Sequence, residues 1–117
     1  ICITNQAGIG RGIFTIDDLD KIHQKMCREA REYGGEIDFI YFCPHHWEDD
    51  CDCRKPKAGM FINAQKDLNL DLTKIYYIGD DLRDREAANL AGCKFKMFNI
   101  KDNLYNVIKD LITNKIL

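Results

Sequence analysis

Apolar positions along the chain switch between short continuous runs and helical spacing. Residues 1–4, ICIT, are a brief apolar run that predicts a strand ending at Thr4 and Asn5. NQAGIGRG follows, with three glycines in eight residues, and predicts a loop. Beyond Thr15, the positions Leu19, Ile22, Met26, Ala30 and Tyr33 fall on one face of a helix. Thr15 and Asp18 stand at capping-box spacing, and Gly34 and Gly35 end the segment. IDFIYF, residues 37–42, predicts a second strand that runs straight into Cys43.

A polar stretch separates this half from the next. KPKAGMFINAQKDLNL, residues 55–70, predicts a helix that buries Met60 or Phe61, Ala64 and Leu68. KIYYIG predicts a third strand, closed by Gly79, Asp80 and Asp81. DREAANLAG predicts a helix capped by Gly92, and CKFKMFN a fourth strand. Residues 102–117 predict a last amphipathic helix with Leu104, Val107, Ile108 and Leu111 facing inwards. Strand and helix alternate throughout, which implies an α/β fold: a parallel sheet with helices on both faces. The whole of residues 1–117 is expected to form a single domain. Ligands of such sheets bind beyond the carboxyl ends of the strands. Thr4 and Asn5, then Cys43, then Asp80 and Asp81 all stand at such ends.

Composition narrows the class. With 45% hydrophobic and 31% charged residues, the chain reads as a soluble globular protein. A formal net charge of -2 selects for neither nucleic acid nor an anionic membrane surface. No run reaches membrane-spanning length, and no signal peptide is visible. Six cysteines would allow three disulfides. Yet Cys51 and Cys53 lie two apart near a Cys-x-His pair, and Cys2, Cys27 and Cys93 lie in apolar segments. That usage fits a reducing compartment, the cytoplasm. A monomer is the default expectation for the oligomeric state.

The candidate chemistry is concentrated in CPHHWEDDCDCRKPK. Cys43, His45, Cys51 and Cys53 offer three thiolates and one imidazole, a closed tetrahedral shell for a structural Zn²⁺ in a loop over 43–53. His46 is the rival to His45, and Trp47 is expected to cap the loop against the body of the protein. Arg54 and Lys55 follow at once, with Pro56 at the start of a helix. Two cations in front of a helix N-terminus suit a phosphate group. Asp80, Asp81 and Asp84 suit Mg²⁺, a hard cation that prefers oxygen ligands, although Asp84 could instead cap the next helix. The Thr4 hydroxyl and the amides around Asn5 could hold phosphate oxygens. The glycines behind them match neither a P-loop nor a dinucleotide-binding fingerprint.

Taken together, TNQAGIGRG, YFCPHH, CDCRKPKAGM and GDDLRD resemble the motifs of the haloacid dehalogenase-like phosphatases. The branch they resemble contains D-glycero-D-manno-heptose-1,7-bisphosphate 7-phosphatase and histidinol-phosphate phosphatase. The resemblance implies a Rossmann-like fold and a Mg²⁺-dependent phosphatase acting on a phosphorylated small molecule. The substrate it implies is the 7-phosphate of the heptose bisphosphate, with histidinol phosphate as the alternative. A non-catalytic zinc domain that binds phosphorylated metabolites is the alternative of another class. Thr4 would bind the transferring phosphoryl group, with Asn5 placing its amide nearby. Lys55 would neutralise phosphate and nucleophile, and Arg54 would contact the substrate. Gln6 and Arg11 would shape the substrate loop, and Asp80 would be a ligand of Mg²⁺.

The family's Asp-x-Asp motif, which carries the nucleophile, is absent from any strand end. It is expected before Ile1, on a central strand upstream. The chain is therefore expected to be a partial domain, inactive alone, with Ile1, Ile3, Ile75 and Ile78 poorly covered. Trp47 and Ala58 stand where the heptose enzymes more often have proline, and Asp81 where they usually have lysine.

Overall fold

A computed structural model of the protein describes residues 1–114. The chain divides into two units, Ile1–Arg54 and Lys55–Leu117. In the first unit, β1 (Cys2–Asn5) leads through a helical turn, α1 (Ala7–Gly10), to α2 (Ile16–Glu32) and β2 (Ile40–Cys43). β1 and β2 pair in parallel, from Cys2 opposite Ile40 to Asn5 opposite Cys43. The expected second strand therefore starts at Ile40 rather than at residue 37, because a partner only four residues long can pair no earlier. The glycine-rich segment is likewise more than a loop, since it winds one turn over Ala7–Gly10.

The capping box forms as its spacing predicts. The Thr15 hydroxyl accepts from the Asp18 N–H at 3.1 Å, and Asp18 Oδ2 accepts from the Thr15 N–H at 3.0 Å. Gly34, at φ +83°, takes the left-handed turn that ends α2. Only Leu19 of this helix is buried. Ile22 and Tyr33, expected on the covered face, are exposed, and Met26 and Ala30 are half-buried. Length explains the difference: a helix of this size runs about 25 Å, whereas a four-residue strand spans about 13 Å.

In the second unit, α3 (Gly59–Leu68) precedes a 3₁₀ turn, Leu72–Lys74. Then come β3 (Tyr76–Gly79), α4 (Leu82–Ala91), β4 (Lys94–Met97) and α5 (Leu104–Thr113). β3 and β4 pair in parallel, Tyr76 opposite Lys94 through Gly79 opposite Met97. α4 packs on both strands and against α3. The core of this unit is Met60, Phe61, Ala64, Leu72, Ala87, Ala88, Cys93, Val107 and Leu111. Leu68, expected in it, is half-buried. α5 is rolled so that the Val107/Leu111 edge of its apolar stripe faces in, and Leu104 and Ile108, about 60° further round, are exposed. Residues 115–117 of the predicted last helix lie outside the described residues.

The fold is α/β with parallel strands, as the alternation implies. Among the described residues, however, the strands form two separate two-stranded sheets. A helical crossover makes consecutive strands parallel, but it does not determine which pairs join in one sheet. Ile1 is exposed, and Ile3, Ile75 and Ile78 are half-buried. No helix among the described residues is long and apolar enough to cross a membrane.

Candidate functional sites: a thiol–imidazole cluster and a buried lysine

Cys43 closes β2 and is fully buried, and its carbonyl accepts the Gln6 N–H at 2.8 Å. The strand thus fixes one ligand, and the loop behind it brings the others back. Cys43 Sγ lies 2.6 Å from Cys53 Sγ, 3.5 Å from Cys51 Sγ and 3.4 Å from His45 Nδ1. His45 Nδ1 is 3.1 Å from Cys53 Sγ, and all four ligand atoms fall within 4.8 Å of one another. His46 turns away from them. Its Nδ1 accepts from the Glu48 N–H at 3.0 Å, and its ring lies 3.9 Å from that of Trp47. Trp47 does not cap the loop by burial. It is 53% exposed, stacked between His46 and the Arg11 guanidinium 5.0 Å above its ring.

α1 braces the same loop. A Cβ on Gly10 would lie 2.6 Å from the His46 nitrogen and 2.9 Å from the Pro44 oxygen, so only glycine allows this approach. The electrostatics of the cluster call for a cation. Burial pushes Cys43 up, and burial together with the neighbouring thiols pushes Cys53 up. Burial opposes ionisation of Cys51 as well, but the Arg54 backbone N–H and the Cys43 and Cys53 thiols outweigh it and bring Cys51 to about 7. Three sulfurs this close cannot all ionise without a compensating charge. A soft divalent metal ion would supply that charge, and three thiols with one imidazole are a donor set that could hold one.

Thr4 and Gln6 meet in the same unit: Gln6 Nε2 donates to Thr4 Oγ1 at 3.1 Å. Thr4, Asn5 and Gln6 are half-buried at the end of β1, whereas Arg11 is exposed.

The second unit holds the other constellation. Lys55 is buried, and its Nζ donates to Asp84 Oδ1 at 2.6 Å and to Tyr77 Oη at 3.0 Å. Burial opposes the charge, but the bonds to Asp84 and Tyr77 prevail and hold the lysine above its ordinary pKa. Asp84 is placed by the start of α4. Asp81 is the N-cap, Asp84 completes the capping box, and Asp84 Oδ2 accepts the N–H groups of Asp80 and Asp81 at 3.1 and 3.2 Å. Gly79 leaves room for it, since a Cβ there would lie 2.5 Å from Asp84 Cβ.

Several expectations change here. Asp81 is the N-cap of α4 and Asp84 only the second member of its capping box; Asp84 also pairs with Lys55, a contact the sequence reading did not name, and Asp80 is exposed. Pro56 does not open a helix, since α3 begins only at Gly59. Tyr77 escaped the sequence reading. Alternation along β3 puts Tyr77 on the same face as Gly79, but it names no partner for the hydroxyl.

A family model described as HAD-hyrolase-like matches residues 52–97, the span that contains Cys53, Lys55, Asp80 and Asp84. The structure is similar to a crystal structure of D,D-heptose 1,7-bisphosphate phosphatase from B. bronchiseptica, complexed with magnesium and phosphate. The TM-score is 0.87 and the identity 33%, over 94% of this chain and 72% of that one. The chain belongs to the haloacid dehalogenase-like phosphatases. Within that family it is 46% identical, over 78% of its length, to D-glycero-beta-D-manno-heptose-1,7-bisphosphate 7-phosphatase of Neisseria meningitidis serogroup A. It is 44% identical, over 83% of its length, to the enzyme of the same name from Haemophilus ducreyi. This haloacid dehalogenase-like chain spans 49% and 57% of those two relatives, about half of each.

Proposed function

We propose that this chain is the phosphate-binding part of a Mg²⁺-dependent phosphomonoesterase. Its substrate in this reading is the 7-phosphate of D-glycero-D-manno-heptose 1,7-bisphosphate. The observation that carries the reading is the buried Lys55 ammonium, anchored by Asp84 and Tyr77 in a chain whose relatives bear that enzyme's name. A buried ammonium held beside a carboxylate and a phenol hydroxyl is suited to meet the negative charge of a phosphoryl group.

Each residue has a part in this reading. Lys55 neutralises the phosphate and the attacking carboxylate. The Thr4 hydroxyl and the Asn5 amide hold phosphoryl oxygens, and Gln6 orients Thr4. Arg11 and Arg54 contact the rest of the substrate. Asp80, exposed after the carboxyl end of β3, is a Mg²⁺ ligand; the ion supplies Lewis-acid neutralisation of developing charge. The nucleophile is an aspartate of the family's Asp-x-Asp motif, which these 117 residues do not carry at a strand end. Phosphate passes through it as an aspartyl-phosphate. We read residues 1–117 as one partial domain whose loop over 43–53 is held by Zn²⁺ on Cys43, His45, Cys51 and Cys53. The thiol-rich loop suits the reducing cytoplasm.

The test is phosphate release by the protein that carries this chain, with Mg²⁺, from the heptose bisphosphate and from histidinol phosphate side by side. Preference for the heptose, lost with Lys55→Met, is the expected result. A kcat/KM favouring histidinol phosphate overturns the heptose assignment. Binding of both without turnover would make the chain a non-catalytic phosphometabolite-binding domain instead.

A further inference from the structure

Tyr77 carries its hydroxyl on a ring that packs against two other aromatics. Its ring meets Phe61 edge-on, with centroids 4.8 Å apart at 70°, and lies 6.4 Å from the Phe95 ring. The ring is carried on β3 and meets one aromatic from α3 and one from β4. The hydroxyl oxygen accepts from Lys55 Nζ at 3.0 Å. Strand alternation puts Gly79 on the same face, and the missing Cβ of Gly79 admits Asp84 against it. Two successive positions of one face thus build two anchors of the lysine: position 77 supplies an acceptor, and position 79 supplies the space for Asp84.

A lysine ammonium sits on a flexible four-carbon stem. One carboxylate can hold one N–H and still let the group swing about that bond. A second acceptor from a different element removes the swing.

We infer that Tyr77 is a positioning residue: its hydroxyl, together with Asp84, fixes the Lys55 ammonium in the orientation that receives a phosphate. The inference rests on the reading of Lys55 as the phosphate-neutralising cation. Tyr77 acts through Lys55 and touches no reacting atom.

Tyr77→Phe removes the hydroxyl and keeps the ring between Phe61 and Phe95. In the protein that carries this chain, the dissociation constant for inorganic phosphate, measured by titration calorimetry, is expected to rise on the order of ten-fold, as befits loss of a charge-assisted hydrogen bond. The same substitution in a Lys55→Met background should add nothing, because the group it positions is gone. Phosphate affinity unchanged in Tyr77→Phe overturns the inference. So does an equal loss in both backgrounds, which marks a merely structural role. The second comparison decides the matter even if Tyr77→Phe lowers the melting temperature. If Lys55→Met itself leaves phosphate affinity intact, the reading of Lys55 fails and the inference fails with it. If Lys55→Met abolishes binding while Tyr77→Phe does not weaken it, only the role of Tyr77 is refuted.

Discussion

Asp84 divides its two oxygens among three partners: Oδ1 takes Lys55, and Oδ2 takes the N–H groups of Asp80 and Asp81. One side chain therefore closes an ion pair, a turn and a capping box. Both members of the pair are largely buried, with side-chain exposures of 11% and 8%. Removing one partner strands the other charge, at a cost of roughly 3–5 kcal/mol. Asp84→Ala is therefore expected to lower the urea midpoint more than any exposed aspartate-to-alanine change. Solvent exposure makes the Arg83–Asp81 pair the natural control. The pair also gives an alkaline signature. The folded-state pKa of Lys55 is raised, so its contribution is fully present below the unfolded lysine value, about 10.4. That contribution is lost as pH rises through the folded value. The wild-type midpoint should fall at the alkaline end more steeply than that of Lys55→Met, in denaturation series taken from pH 7 upwards.

At the level of elements, the short α1 turn packs closely against the Cys/His loop over 43–53. Gly10 is the contact point, and the atoms nearest its missing Cβ belong to backbone, which cannot rotate out of the way. Gly10→Ala is expected to push the loop at Pro44 and His46 and so to disturb His45. Competition with a chromophoric chelator should then show weaker metal binding, while Gly12→Ala serves as comparison. Gly12 meets nothing within 4 Å but has φ +74°, so its replacement strains the backbone without touching the loop. Equal metal affinity in Gly10→Ala and wild type would separate the turn from the site. The elements also show where period alone misleads. The α2 stripe was legible, yet its burial was not, because the strands beneath it are four residues long.

For the molecule as a whole, the proposed zinc should act as part of the fold of the first unit. The buried apolar residues of that unit are few, Leu19 and Cys43 among them, so a four-ligand clamp carries weight there. Elemental analysis is expected to find about one zinc per chain, falling when Cys51 and Cys53 are both changed to serine. Chelation should lower the thermal midpoint, since metal binding free energy is folding free energy in small metal-closed units. A midpoint unmoved by chelation would assign the cluster no structural role.

Sequence alone determined what depends on local spacing. The Thr15/Asp18 box, the glycine stop after α2 and the parallel α/β order all follow from neighbours a few residues apart. So does the Cys43, His45, Cys51, Cys53 set, because eleven residues of loop can close on one point. Pairing across the chain was decided only in three dimensions. Bringing Asp84 to Lys55 took a strand end, a helix start and a glycine without a Cβ, which place positions 29 residues apart within 2.6 Å. Tyr77 read as one more apolar strand residue, because nothing in β-strand periodicity tells where a hydroxyl will find its partner. The division into two two-stranded sheets was likewise not legible, since strand alternation specifies direction but not which ladders join.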